Sequence, residues 1–102
     1  MIQYFFYYKN NIIYKVTIKG HAFYSDRGKD IICASVSTAV LMTLNLIEIF
    51  KLQKNIKYSL KKGNLILKVL IQDLIIENLL KNLEYSLRDL NKKYVNNLIE
   101  KK

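Results

Sequence analysis

An uncharged stretch of 17 residues, Ile31 to Ile47, sits in the first half of this 102-residue chain and limits what can form around it. It carries Ser35, Ser37, Thr38, Thr43 and Asn45, and it falls short of the roughly 20 apolar residues that a membrane span needs. A helix of this kind belongs inside a folded domain. Its continuation to about Leu52 is apolar almost all round, which predicts cover on more than one side. No basic leader or small-residue cleavage site stands at Met1-Ile2-Gln3-Tyr4-Phe5, so no membrane partner is expected.

What flanks the helix reads as strands. Ile2 to Tyr8 is aromatic-rich, as strands are, and Lys9-Asn10-Asn11 suits a hairpin turn because Asn tolerates left-handed backbone. Ile12 to Lys19 then alternates, with Ile12, Tyr14, Val16 and Ile18 on one face and Ile13, Lys15, Thr17 and Lys19 on the other. Gly20 stops it. Residues 21–29 form a loop, and Asp30 is placed to cap the long helix.

Beyond that helix, Ile56 to Leu60 is a short strand, Lys61 to Asn64 a turn, and Leu65 to Ile71 alternates again. Asp73 is a second N-cap. Ile76, Leu80, Leu83, Leu87 and Leu90 then mark one helical face, opposite Glu77, Lys81 and Glu84. Tyr94 to Ile99 suits a last short strand. The expectation is a single domain over residues 1–102, a two-layer α+β fold with a mostly antiparallel sheet and two helices, ordered ββαββα with a further β at the end.

Hydrophobic residues at 51% and charged residues at 25% exclude intrinsic disorder. One cysteine and one histidine exclude an internal disulfide, a cysteine-rich zinc module and a multi-histidine metal site. A reducing, cytoplasmic setting is the default. The 17 basic residues outnumber the 8 acidic ones, for a net charge of +9. Such an excess favours nucleic acid, ribosomes or anionic surfaces. An AT-rich coding sequence would also produce it, since Lys is abundant and Arg rare, so charge alone names no partner.

Candidate chemistry gathers between Gly20 and Ser37. The only histidine, His21, follows a strand, and the only cysteine, Cys33, is the third residue of the helix if Asp30 caps it. A helix N-terminus and a nearby imidazolium lower a thiol from its usual pKa of about 8.5. The free amides of the first turn could also cradle an oxyanion, and His21 could shuttle the proton. Ser37 shares a helix face with Cys33. Asp30 could cap the helix or orient His21, while Gly20 and Gly28 bracket the loop as hinges. A buried, inert Cys33 and a serine bonded one turn back are the plainer readings.

Gly-His-Ala-x-Tyr at Gly20 to Tyr24, followed by Gly-x-Asp-Ile-Ile-Cys-Ala-x-Val-Ser at Gly28 to Ser37, resembles the signature of the ribosomal-processing cysteine protease family, Prp. The resemblance implies a His21–Cys33 dyad in a small α+β homodimer, with no metal or organic cofactor. It also implies a substrate: the N-terminal extension of the large-subunit ribosomal protein conventionally numbered twenty-seven, cut after an aromatic pair. Nucleic acid is not required. Phe23 and Ser35 depart from the family pattern, where small residues are common.

Two other readings stay open at this point, a non-catalytic basic module binding ribosomal RNA and an assembly factor with an inert thiol. A homodimer is expected on physical grounds as well. Ile2, Tyr4, Phe6 and Tyr8 fall on one face of the first strand and Phe5 and Tyr7 on the other, so both faces need cover.

Overall fold

In the computed structural model, which describes residues 1–20, 27–61 and 64–101 (27–30 by backbone only), five strands and two long helices follow one another. The strands are β1 (Ile2–Lys9), β2 (Ile12–Lys19), β3 (Ile56–Lys61), β4 (Asn64–Val69) and β5 (Leu98–Glu100). The helices are α1 (Arg27–Ile49) and α2 (Leu74–Lys93). The sheet order is β3-β4-β2-β1-β5, antiparallel throughout except for β5, which runs parallel to β1. The α+β class and the final strand are as the sequence predicts.

The β1–β2 hairpin turns on Asn10 and Asn11, both at positive φ (53° and 64°). Two left-handed residues between Lys9 and Ile12 make the mirror-image turn that matches the twist of paired strands. A bulge follows at once. Tyr7 pairs with Lys15 but Tyr8 pairs with Ile13, so Tyr14 is the extra residue. The bulge overturns the expected alternation on β2: Ile13 is fully buried, and Tyr14 is exposed.

Both helices cover one face of the sheet. Its core is Ile2, Tyr4, Phe6, Ile13, Val16, Ile18, Leu65 and Leu67, meeting Ile32, Val36, Val40 and Ile47 of α1 and Ile76, Leu80, Leu83 and Leu87 of α2. The α2 residues are those the spacing selects, and the Asp73 carboxylate caps that helix by accepting from the Ile75 amide at 2.8 Å.

The apolar helix α1 is covered less completely than expected. Length and composition alone would let Ile31–Ile49 cross a membrane, yet a single stripe of it packs on the sheet. Leu41, Met42 and Ile49 stay exposed. Its C-terminus comes at Ile49 rather than near Leu52. Lys51 takes a left-handed φ of 60°, its amide bonding the Glu48 carbonyl while the Leu52 amide bonds that of Ile47. This is the paired bonding that ends helices, with Lys in the place glycine usually takes.

Glu84 departs from its expected solvent-facing position. It is 2% exposed, accepts a short hydrogen bond from the Tyr8 hydroxyl, and pairs with Arg88 at 3.3 Å; Arg88 also reaches Glu100 at 3.7 Å. Burial of the hydroxyl, together with its bond to Glu84, raises the Tyr8 pKa well above the ordinary 10.0. A group whose folded pKa is raised contributes stability below its unfolded value and loses it as pH climbs further. Stability should therefore fall above a pH of about 10. Tyr8→Phe should flatten that alkaline limb while costing about 1–3 kcal/mol at neutral pH, because it leaves a buried carboxylate short of a donor. Urea unfolding of both proteins across that range checks this.

Candidate functional site

β2 delivers the chain to the site through Gly20. Its φ is +88°, and a Cβ there would lie 2.3 Å from the Met1 carbonyl oxygen. The Gly20 amide donates to Asn64 Oδ1 at 2.9 Å. The residue expected to act as a hinge is thus clamped between the start of β1 and the start of β4, and its glycine is required by conformation and space together. His21, next in sequence, lies outside the described residues, as do Phe23 and Asp26.

The helix that carries the thiol begins earlier than expected. α1 starts at Arg27, so Asp30 is its fourth residue rather than its cap, and Cys33 is its seventh rather than its third. Arg27 and Lys29 are good helix formers and no proline intervenes, which offsets the poor helix former Gly28 between them. Gly28 is the second helical residue and lies within regular helix rather than at a loop end. The free amides are those of residues 27–30, one turn before Cys33.

Cys33 is a free thiol, half-buried, with part of its surface packed on the core. Ser35, a departure from the family pattern, bonds its hydroxyl to the Ile31 carbonyl at 2.8 Å, the plain intrahelical role. Ser37 is exposed one turn beyond Cys33. There it lines an apolar cavity of about 200 Å³ with Val36, Val40 and Leu41 of α1, Ile18 of β2, Leu60 of β3 and Leu65 of β4. The sequence pattern did not single out this cavity. It lies between α1 on one side and β2, β3 and β4 on the other. Among the described residues no group of three or more His, Cys, Asp or Glu side chains gathers as a metal site would.

A two-layer α+β domain with a lone, partly accessible thiol near the start of its first helix, and an apolar cavity one turn on, has the layout of a small cysteine protease. The sequence profile of the family described as cysteine protease Prp matches residues 1–99, and the chain belongs to that family.

The fold is shared by solved structures. A ribosomal processing protease Prp from S. aureus in complex with a substrate peptide superposes with a TM-score of 0.84 at 20% identity, covering 99% of this chain and 98% of that one. The same protease with a covalently linked product peptide gives 0.83 at 21% identity, over 99% and 100%. SMU.848 from Streptococcus mutans gives 0.80 at 24% identity, over 99% and 92%. No curated protein sequence matches.

Gly20→Ala should lower stability by at least about 1–2 kcal/mol, the cost of a side chain in left-handed backbone. That is a fall of roughly 5–15 °C in unfolding midpoint for a domain of this size. Gly28→Ala, in regular helix, should leave the midpoint unchanged or raise it. Thermal unfolding followed by circular dichroism distinguishes the two.

Proposed function

We propose that residues 1–102 form one catalytic domain, a cytoplasmic cysteine endopeptidase that removes the N-terminal extension of a large-subunit ribosomal protein. Cys33 is its nucleophile and His21 its acid–base partner. The observation that carries this reading is the half-exposed Cys33 thiol beside the apolar cavity, in a chain of the Prp family whose S. aureus relative is a ribosomal processing protease seen with a substrate peptide.

Side chains on a helix tilt toward its N-terminus, so the thiol is carried back over the free amides of residues 27–30. The thiolate attacks the scissile carbonyl, a C–S bond forms, and the carbonyl oxygen becomes an oxyanion that those amides stabilise. When the tetrahedral intermediate collapses, the C–N bond breaks and His21 gives its proton to the departing amine. Water, deprotonated by His21, then cleaves the thioester and returns the thiol. Asp30, early in the same helix, supports His21, while Ser37 bonds the substrate backbone. The Ser37-lined cavity takes an apolar substrate side chain next to the cut.

The working unit is a homodimer. The strip expected on β1 is less open than its sequence suggests, because Phe5 and Tyr7 are half-buried. The apolar surface left uncovered runs along α1, through Leu41, Met42 and Ile49, and a second copy covers it.

Cys33→Ala should abolish cleavage of a peptide copying the extension while preserving the fold, read by mass spectrometry and circular dichroism. His21→Ala should depress turnover by two orders of magnitude or more, about what general acid–base catalysis supplies, with a smaller effect on KM. Undiminished cleavage by the Cys33 variant would end this reading. Light scattering should return about twice 12.1 kDa, falling to the single-chain mass in a Met42→Lys, Ile49→Lys double variant.

A further inference from the structure

The sheet face turned away from the helices is sorted by charge. The strands β1 to β4 contain six lysines and no Asp or Glu. Of the acids whose side chains the structure describes, Glu77, Glu84 and Asp89 belong to α2, Asp73 caps it, Glu48 is on α1, and Glu100 turns to Arg88 on the helical side. Coding bias would enrich lysine everywhere; it would not empty one face of carboxylates.

Register gathers these lysines. Lys57 pairs with Lys68 and Lys68 with Lys15, so three ammonium groups stand side by side across β3, β4 and β2. The row ends on Tyr7, which pairs with Lys15 and lies 5.0 Å below its ammonium. The neighbouring row is uncharged, running Ser59, Ile66, Thr17, Phe5. Phe5, Tyr7 and Tyr14 form a connected aromatic run, with ring centroids 4.5 and 6.0 Å apart. Like charges placed directly opposite destabilise a sheet, and no described carboxylate relieves them. A partner that brings negative charge does.

We infer that this face binds single-stranded RNA, the lysine row holding phosphates and the aromatic run stacking bases. The combination of a basic track with adjacent aromatic rings on an open sheet is what sequence-tolerant single-strand recognition requires. A second copy does not fit here, because a twofold contact through this face would set lysines against lysines. A lipid surface would draw on the same charges and rings, so anionic vesicles are an arm of the test. The inference does not depend on the peptidase mechanism, since none of these residues belongs to it.

The test is fluorescence anisotropy of the whole protein with a labelled uridine oligomer of about twelve nucleotides, at two salt concentrations. The wild type should bind at low salt and weaken steeply as salt rises. The triple variant Lys15→Gln, Lys57→Gln, Lys68→Gln should bind about tenfold or more weaker, with the log–log salt slope reduced by about 2, the value for three lost phosphate contacts on a single strand. It should also unfold at the same or a higher temperature, and cleave a short peptide as the wild type does. Lys81→Gln, Lys92→Gln, Lys93→Gln, which removes the same charge from α2, should change affinity by less than about twofold. Absence of binding at low salt, equal losses in the two triple variants, or binding only to phosphatidylglycerol vesicles would each overturn the inference.

Discussion

The pairing of β1 with β2 is the constraint on which the other elements depend. These strands sit inside the sheet, and their register places Tyr4 with Ile18 and Phe6 with Val16 on the face the helices cover. The bulge at Tyr14 keeps that face continuous to the turn by returning Ile13 to the core. Without it, the last pair of the hairpin would present Tyr14 inward and Ile13 to water. The same register brings the end of β2 against Met1, which is why Gly20 must be glycine.

Much of this is written plainly in the sequence. Strands with alternating or aromatic runs, a helix with a Leu/Ile stripe, and an Asp before it each carry a local signal with one strong interpretation. Three features escaped that logic. A bulge adds one residue and inverts a face without altering composition. Glu84 looks solvent-facing beside Leu83 and Leu87, but a tyrosine 76 residues away supplies its donor. The start of α1 is displaced because Asp30 is a good cap in isolation, while the helical propensity of the residues before it, and the rest of the fold, decide where the first turn forms.

The candidate site was legible as chemistry before it was legible as shape. A lone Cys and a lone His in a patterned window suggest a reaction, and nothing in that window reveals the cavity that Ser37 lines. Its walls come from four separate elements, α1, β2, β3 and β4. Residues such as Leu60 and Leu65 read locally as ordinary strand residues. Cavities of this kind belong to tertiary packing, so sequence periodicity cannot point to them.

A two-layer domain has two surfaces to dispose of, and this chain treats them differently. On the helical side the acids are concentrated, and the buried Glu84 pairs with Arg88, as does Glu100. On the open side the cations are lined up and left unanswered, although a single Asp or Glu at position 66 or 17 would relieve the row. Both positions are instead uncharged: Thr17 is the direct cross-strand partner of Phe5 and is itself buried, and Ile66 pairs with Thr17 on its other side. Sheet stability alone would favour the acid at the exposed position 66, where Ile66 is 41% accessible. Ile66 instead continues the uncharged row that runs from Ser59 through Thr17 to Phe5 beside the lysines. That choice favours a ligand with a charged backbone and flat apolar groups over one that is merely anionic.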